Sequence, residues 1–246
     1  MRLSAGLVPA LAICLGLIAG PALAQQISID LGGAGGETLS LRSVQLLLLI
    51  TVLSILPGLA VMVTCFPFIV TVLSILRQAI GLQQAPPNML IISLAMFLTW
   101  FVMDPVFTEA WVKGIEPMTN GTMEIGPGLQ AAIAPFRAFM ALRVDPETLQ
   151  TLQDLRVGAP VAAPAEAPLS LLVPAFLLSE IQRAFEIGFM IYLPFLIIDL
   201  VVAAILMSMG MMMVPPAVVS LPFKLVFFVV ADGWALISGA LVRSYF

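Results

Sequence analysis

Three ionisable side chains interrupt apolar sequence near the C-terminal end of the chain. Asp199 lies within the run Ile187–Met209, and Lys224 and Asp232 lie within Leu221–Val242. A charge inside an apolar helix is costly and is a functional candidate by default. If the two runs form a hairpin about Pro215-Pro216, each Asp lies sixteen or seventeen residues from the turn, so the two carboxylates sit at a similar height. Two carboxylates sharing one apolar level cannot both ionise cheaply and would titrate jointly. The pair is then either a proton-responsive element or a polar lock between subunits. Alternatively, each Asp pairs with a neighbouring helix and sets packing alone. Lys224 is about two helical turns from Asp232, too far for a direct pair on one straight helix.

Two further groups stand out. Glu180, Arg183 and Glu186 recur at i, i+3 on the segment Pro174–Glu186. On a helical wheel they fall opposite Leu177, Ile181, Phe185 and Gly188, which predicts an amphipathic helix with a solvated charged face and weak ion pairs. Met211, Met212 and Met213 follow Gly210 and precede Pro215-Pro216. Methionine is unbranched and polarizable and repacks without strain. The run is either apolar filler at a membrane-embedded turn or a compliant seal around a pore, and a seal needs several copies in a ring.

Other chemistry is excluded by composition. The chain has no His, which removes Ser-His and Cys-His catalysis and imidazole metal sites. Of its two cysteines, Cys14 falls in a segment expected to be removed, and Cys65 alone forms neither an intrachain disulfide nor a thiolate cluster. No phosphate-binding GxxxxGK[ST] occurs. A net charge of −4 gives no electrostatic footprint for nucleic acid. No cofactor and no enzymatic activity are expected.

The elements that must position these residues are apolar helices. The 246 residues are 61% hydrophobic and 10% charged, against roughly 25% charged for an average soluble domain. The chain is therefore an integral membrane protein. Residues 1–24 have the order of a secretory signal peptide: Arg2, the short apolar run Leu7–Ala19, and Ala22-Leu23-Ala24 for cleavage. Cleavage there places the mature N-terminus on the outer face of a bacterial inner membrane. Residues 25–43 form a Gly-rich segment, after which Ser40 or Ser43 caps a helix.

Residues 44–107 read as a first hydrophobic hairpin. Its leading stretch, Val44–Leu76, would make about 50 Å of continuous helix, too long for a bilayer core of about 30 Å. Pro57-Gly58 and Pro67 are expected to kink or break it. Residues 108–186 carry most of the charge and form a polar helical region on the periplasmic side, with Val157–Pro168 as a semi-extended Pro/Ala linker unlikely to pack. Residues 187–246 form a second hydrophobic hairpin with Pro194 as a kink and the Met run at its tip. Four spans with both mature ends outside follow by alternation.

Several blocks resemble one family. Pro194-Phe195-Leu196-Ile197-Ile198-Asp199-Leu200-Val201-Val202, Met209-Gly210-Met211-Met212-Met213, Pro215-Pro216, Leu221-Pro222-Phe223-Lys224-Leu225 and Asp232-Gly233-Trp234 are similar to the FliP family of flagellar biosynthesis proteins. Upstream, Arg77-Gln78-Ala79, Pro86-Pro87-Asn88, Asp104-Pro105-Val106, Pro135-Phe136-Arg137 and Ser179-Glu180 match the same pattern. The resemblance implies an all-α, membrane-associated core subunit of the type III protein export gate, in which kinked hairpins assemble into a helical ring around a channel. It implies a pentameric ring with FliQ and FliR, association with FlhB and FlhA, and passage of unfolded flagellar proteins. It also implies a place in the basal body, with the assembly projecting towards the periplasm and Met211–Met213 as the pore gasket.

The chain departs from the family where Cys65-Phe66-Pro67-Phe68 lacks an expected Arg, where Gln182-Arg183 replaces a Lys two residues after the Glu, and where the Arg-rich run after Met140 thins to Arg143. The related virulence-secretion branch is the nearest alternative, since composition does not separate the two branches. A small-solute transporter using Asp199 and an intramembrane enzyme using an Asp199–Asp232 dyad are the remote ones. The transporter predicts an internal repeat that the two halves do not display.

Overall fold

The computed structural model describes residues 38–82, 86–156, 163–211 and 213–246. The signal peptide expected at 1–24 and the Gly-rich centre of the following segment lie outside the described residues. The chain divides into two units, one ending at Ile50 and the other comprising Thr51–Phe246. Helix α1 runs through the division, and the architecture that follows is that of the second unit.

All regular structure among the described residues is helical. The elements are α1 (Thr38–Met62), α2 (Phe66–Ile80) and α3 (Asn88–Ala110), a π-helical stretch (Trp111–Ile115), α4 (Glu116–Thr119) and α5 (Ile125–Arg143). Then come α6 (Pro146–Asp154), α7 (Leu169–Ser208), α8 (Pro216–Val230) and α9 (Gly233–Arg243). Three helical stretches are long and apolar enough to cross a membrane: Val44–Met62, Asn88–Thr119 and Leu169–Ser208. The pair α8 and α9, bent by 61°, makes a fourth if counted as one span.

Several boundaries differ from the sequence expectation. Among the described residues α1 already includes both Ser40 and Ser43. It continues through Pro57, and the break falls at Val63–Cys65 instead. There the Thr64 hydroxyl donates to Val61 O at 3.0 Å and accepts from the Phe66 amide at 3.4 Å. Pro67 decides this position, because in the first turn of α2 its missing N–H removes a donor that would be orphaned anyway. The boundary at 107/108 lies inside α3, and the boundary at 186/187 lies inside the 40-residue α7, which also runs uninterrupted through Pro194. The apolar run and the amphipathic segment before it are thus one helix.

The Pro/Ala linker packs at its C-terminal end, contrary to the extended reading. Ala167 is fully buried, and Arg137 Nη1 donates to its carbonyl at 2.9 Å. Residues 157–162 lie outside the described residues.

The main core forms around α2. Phe68, Ile69, Val72, Leu73 and Leu76 are fully buried against Ile91, Ala95 and Met103 of α3 and Ala184 and Phe195 of α7. Close approach of α2 and α7 depends on Gly188, where a Cβ would lie 2.4 Å from the Ile75 side chain. A second cluster joins Met140, Leu149, Leu171, Leu172, Ala175 and Phe176 of α5, α6 and α7.

The inner face of α7 departs from the wheel-based assignment at two positions: Glu180 is fully buried and Phe185 is exposed, whereas Gly188 is buried and Glu186 exposed as expected. Ala175, Ser179 and Ala184 also point inward, and Leu178 and Phe189 are exposed. Small side chains let neighbouring helices approach closely, as in membrane helix packing. Phe185 and Phe189 are thereby left for lipid or another subunit, while Leu172 and Phe176 nearer the start of α7 are buried within the chain.

Candidate functional site: two buried ion pairs and a methionine tip

The methionine tip is shaped by backbone capping. Helix α7 ends in a Schellman motif: Gly210 N–H donates to Met207 O at 3.0 Å, and Met211 N–H donates to Leu206 O at 2.9 Å. Gly210 carries φ +74°, which a residue with a Cβ adopts only with strain. Pro216 then opens α8 at its first turn. Met211 and Met213 are exposed, Met213 almost completely (98%). Met212 lies outside the described residues.

The first ion pair stands on the hairpin above this tip. Lys224 Nζ of α8 lies 2.6 Å from Asp199 Oδ2 of α7 and donates to Ala79 O in the last turn of α2 at 3.1 Å. The Ser220 hydroxyl donates to Asp199 Oδ1 at 2.6 Å. Lys224 and Ser220 are buried. Ala79 O is one of the carbonyls a helix leaves unpaired at its C-terminus, and an ammonium there is also favoured by the helix dipole. One lysine thus ties α8 to both α7 and α2.

This geometry corrects the carboxylate pair. Asp199 faces Lys224, whereas Asp232 is exposed at the break between α8 and α9. The level match between the two Asp counted all residues up to the prolines as helix, yet α7 ends at Ser208 and α8 begins at Pro216. Measured from the helix ends, Asp199 stands nine residues before Ser208 and Lys224 eight after Pro216, so these two share a height. Asp232 has φ +47°, the one positive value for a non-glycine among the described residues. The next residue is Gly because a Cβ there would come within 2.1 Å of the Phe228 ring.

The second ion pair joins α5, α7 and the C-terminus. Glu180, expected on a solvated face, is fully buried. Its Oε1 accepts from Arg143 Nε at 3.1 Å and lies 3.7 Å from Arg183 Nη1, while Oε2 accepts a hydrogen bond from the Tyr245 hydroxyl. Arg143 Nη1 donates to Ser244 O at 2.8 Å, and the guanidinium carbon lies 4.1 Å from the Tyr245 ring centroid, a cation–π contact. Burial, reinforced by the Glu180 charge, holds the Tyr245 phenol far above its usual range, so it remains a donor. Glu186 accepts from Gln182 Nε2 at 3.2 Å and stays outside this cluster.

Arg143, Tyr245, Ser220 and the Ala79 carbonyl were not singled out as site groups from the sequence. Only the i, i+4 spacing of Ser220 and Lys224 hinted that both face one partner. Phe68, where the family resemblance led to expect an Arg, is fully buried and meets the Tyr245 ring edge-on at 5.6 Å. Cys65 is fully buried, and burial pushes its thiol up to about 12, which leaves it protonated at neutral pH.

Long apolar helices folded back on one another, with ion pairs closed between them and large apolar side chains facing outward, define an all-helical membrane protein. The profile of the FliP family matches residues 49–241. A flagellar biosynthetic protein FliP of Caulobacter vibrioides is 50% identical over 236 residues, 95% of this chain and 88% of the relative. Those of Cereibacter sphaeroides (47% over 213 residues; 87% and 70%) and Bacillus subtilis (43% over 203 residues; 82% and 92%) are similar over most of the chain. The chain belongs to the FliP family.

Proposed function

We propose that the chain is a flagellar biosynthetic protein, a core subunit of the type III export gate through which unfolded flagellar proteins cross the bacterial inner membrane. The observation that carries this reading is family membership across residues 49–241, with flagellar relatives 50% and 43% identical over 95% and 82% of the chain. The virulence-secretion alternative is not favoured, since those relatives are named as flagellar proteins. The role is structural: the subunit contributes a wall to a conduit and carries out no bond chemistry.

Several copies form a ring, pentameric in this reading, with FliQ and FliR, and FlhB and FlhA join that core. The outward faces of α1, α7 and α8 suit such an assembly, because Leu53, Leu59, Phe189, Ile197, Leu200, Val226 and Val230 all remain exposed in the single chain. Apolar surface of this extent needs lipid or protein to cover it. The tip Met211–Met213 is the gasket. Flexible thioether side chains projecting from a capped turn close a pore against ions and still deform around polypeptides of varied shape.

The test is complementation of a non-flagellated strain lacking its own FliP, together with the mass of the tagged complex extracted in detergent. Restored swimming and a multimer containing FliQ and FliR are expected. A stable monomer or dimer that ignores both partners overturns the reading. Replacing Met211 and Met213 with Ala in the working complex is expected to raise ion leakage while leaving assembly intact.

A further inference from the structure

The C-terminal tail makes contacts out of proportion to its length. Helix α9 buries only Gly233, Ile237 and Leu241 and begins immediately after the strained residue Asp232. Beyond it, Ser244 gives its carbonyl to Arg143, and Tyr245 gives its hydroxyl to Glu180. The Tyr245 ring lies stacked on Phe139 at 6.0 Å and 15° and edge-on to Phe68 at 5.6 Å and 78°, with the Arg143 guanidinium over it. Two residues thus engage α2, α5 and α7 at once. The anchoring groups are the ones that need this tail, because Glu180 has no exposure and would otherwise keep one carboxylate oxygen without the phenol.

We infer that Ser244–Phe246 is a latch that holds α9 on the Arg143–Glu180 ion pair, with Asp232–Gly233 as the hinge on which α9 swings when the latch opens. The hinge is built for this. A left-handed residue joins two helices at 61°, and Gly233 lets the Phe228 ring pack directly against the joint. The α7–α8 part of the hairpin is held separately by Asp199–Lys224 and by Ser220. Opening the latch therefore leaves α9 held only by Ile237, Leu241 and the Trp234–Phe228 ring contact, and leaves α8 in place. The Tyr245 phenol, protonated at neutral pH, is the donor that buried Glu180 requires.

The inference is independent of the export role and is tested on the full chain in detergent. Spin labels at Leu236→Cys on α9 and Met89→Cys on α3 report the latch. Labels at Leu200→Cys on α7 and Val226→Cys on α8 report the rest of the hairpin. All four sites are exposed, Cys65 is buried, and a Cys14→Ser background leaves no other thiol to label.

In the intact chain both distance distributions are expected to be narrow. Tyr245→Phe removes only the hydroxyl and keeps both ring contacts. It is expected to raise the population with a long 89–236 distance about tenfold, the worth of a hydrogen bond to a charged group. Deletion of Ser244–Phe246 goes further, and the 200–226 distance stays unchanged in both variants. An unchanged 89–236 distribution in Tyr245→Phe and the deletion variant overturns the latch. Equal broadening of both pairs overturns the hinge. If the deletion variant does not accumulate, Tyr245→Phe alone decides.

Discussion

The two buried ion pairs hold the same helix, α7, at different points and by different means. Glu180 is completely dry, and two arginines and a phenol surround it. Asp199 keeps 29% of its side chain exposed and depends on one ammonium and one hydroxyl. A dry carboxylate with several donors is well satisfied but badly placed if a donor is lost, because no water can replace it. Asp199, with fewer donors and part of its side chain exposed, is held less tightly. The Glu180 cluster is therefore the more deeply buried and more fully paired of the two, and the Asp199 cluster lies nearer the methionine tip.

The comparison is broken most severely by Glu180→Leu. This leaves Arg143 buried without its carboxylate, and unfolding in detergent is expected to show a loss of about 3–5 kcal/mol. Lys224→Met removes the partner of Asp199 and the donor to Ala79 O together. A smaller loss of about 2 kcal/mol is expected, since Asp199 is only partly buried and keeps the Ser220 hydrogen bond, and loosening is confined to the junction of α2 and α8. Ser220→Ala deletes one hydrogen bond to Asp199 and is expected to cost about 1 kcal/mol by the same measurement.

The smallest effect is expected at the rim of the Glu180 cluster. Asp145 caps α6 by accepting from the Thr148 amide at 2.8 Å, and its own amide donates to Ser179 Oγ at 2.9 Å. The Thr148 hydrogen bonds, from amide and hydroxyl, hold the Asp145 carboxyl below its ordinary value of 3.8. A depressed carboxylate contributes stability that is fully present above that ordinary value and is lost as pH falls through the lower folded value. Asp145→Ala is expected to lower the melting temperature slightly at neutral pH and to converge with the wild-type chain in acid. A constant difference across that window contradicts this account of the cap.

The two faces of α7 show why part of the fold was legible and part was not. That this segment is helical follows from its apolar length, and Gly210 and the two prolines mark its end through local backbone rules. Which face turns inward does not follow from periodicity, because both faces carry apolar residues. In water the larger side chains of Phe185 and Phe189 would be buried. Here the small residues Ala175, Ser179, Ala184 and Gly188 pack inside, which is favourable only where lipid or another subunit receives the large ones.

The amino-acid sequence by itself determined that this is a helical membrane protein, where its methionine tip falls, and to which family it belongs. Those properties rest on composition, on short-range Gly and Pro geometry, and on long matching blocks. Tertiary structure alone decided which charges meet. Lys224 reaches Ala79 across 145 residues, and Arg143 reaches Ser244 across 101. Ion-pair partners are chosen by the heights at which helices stand beside one another. Those heights depend on turn lengths and helix packing that a one-dimensional spacing does not contain.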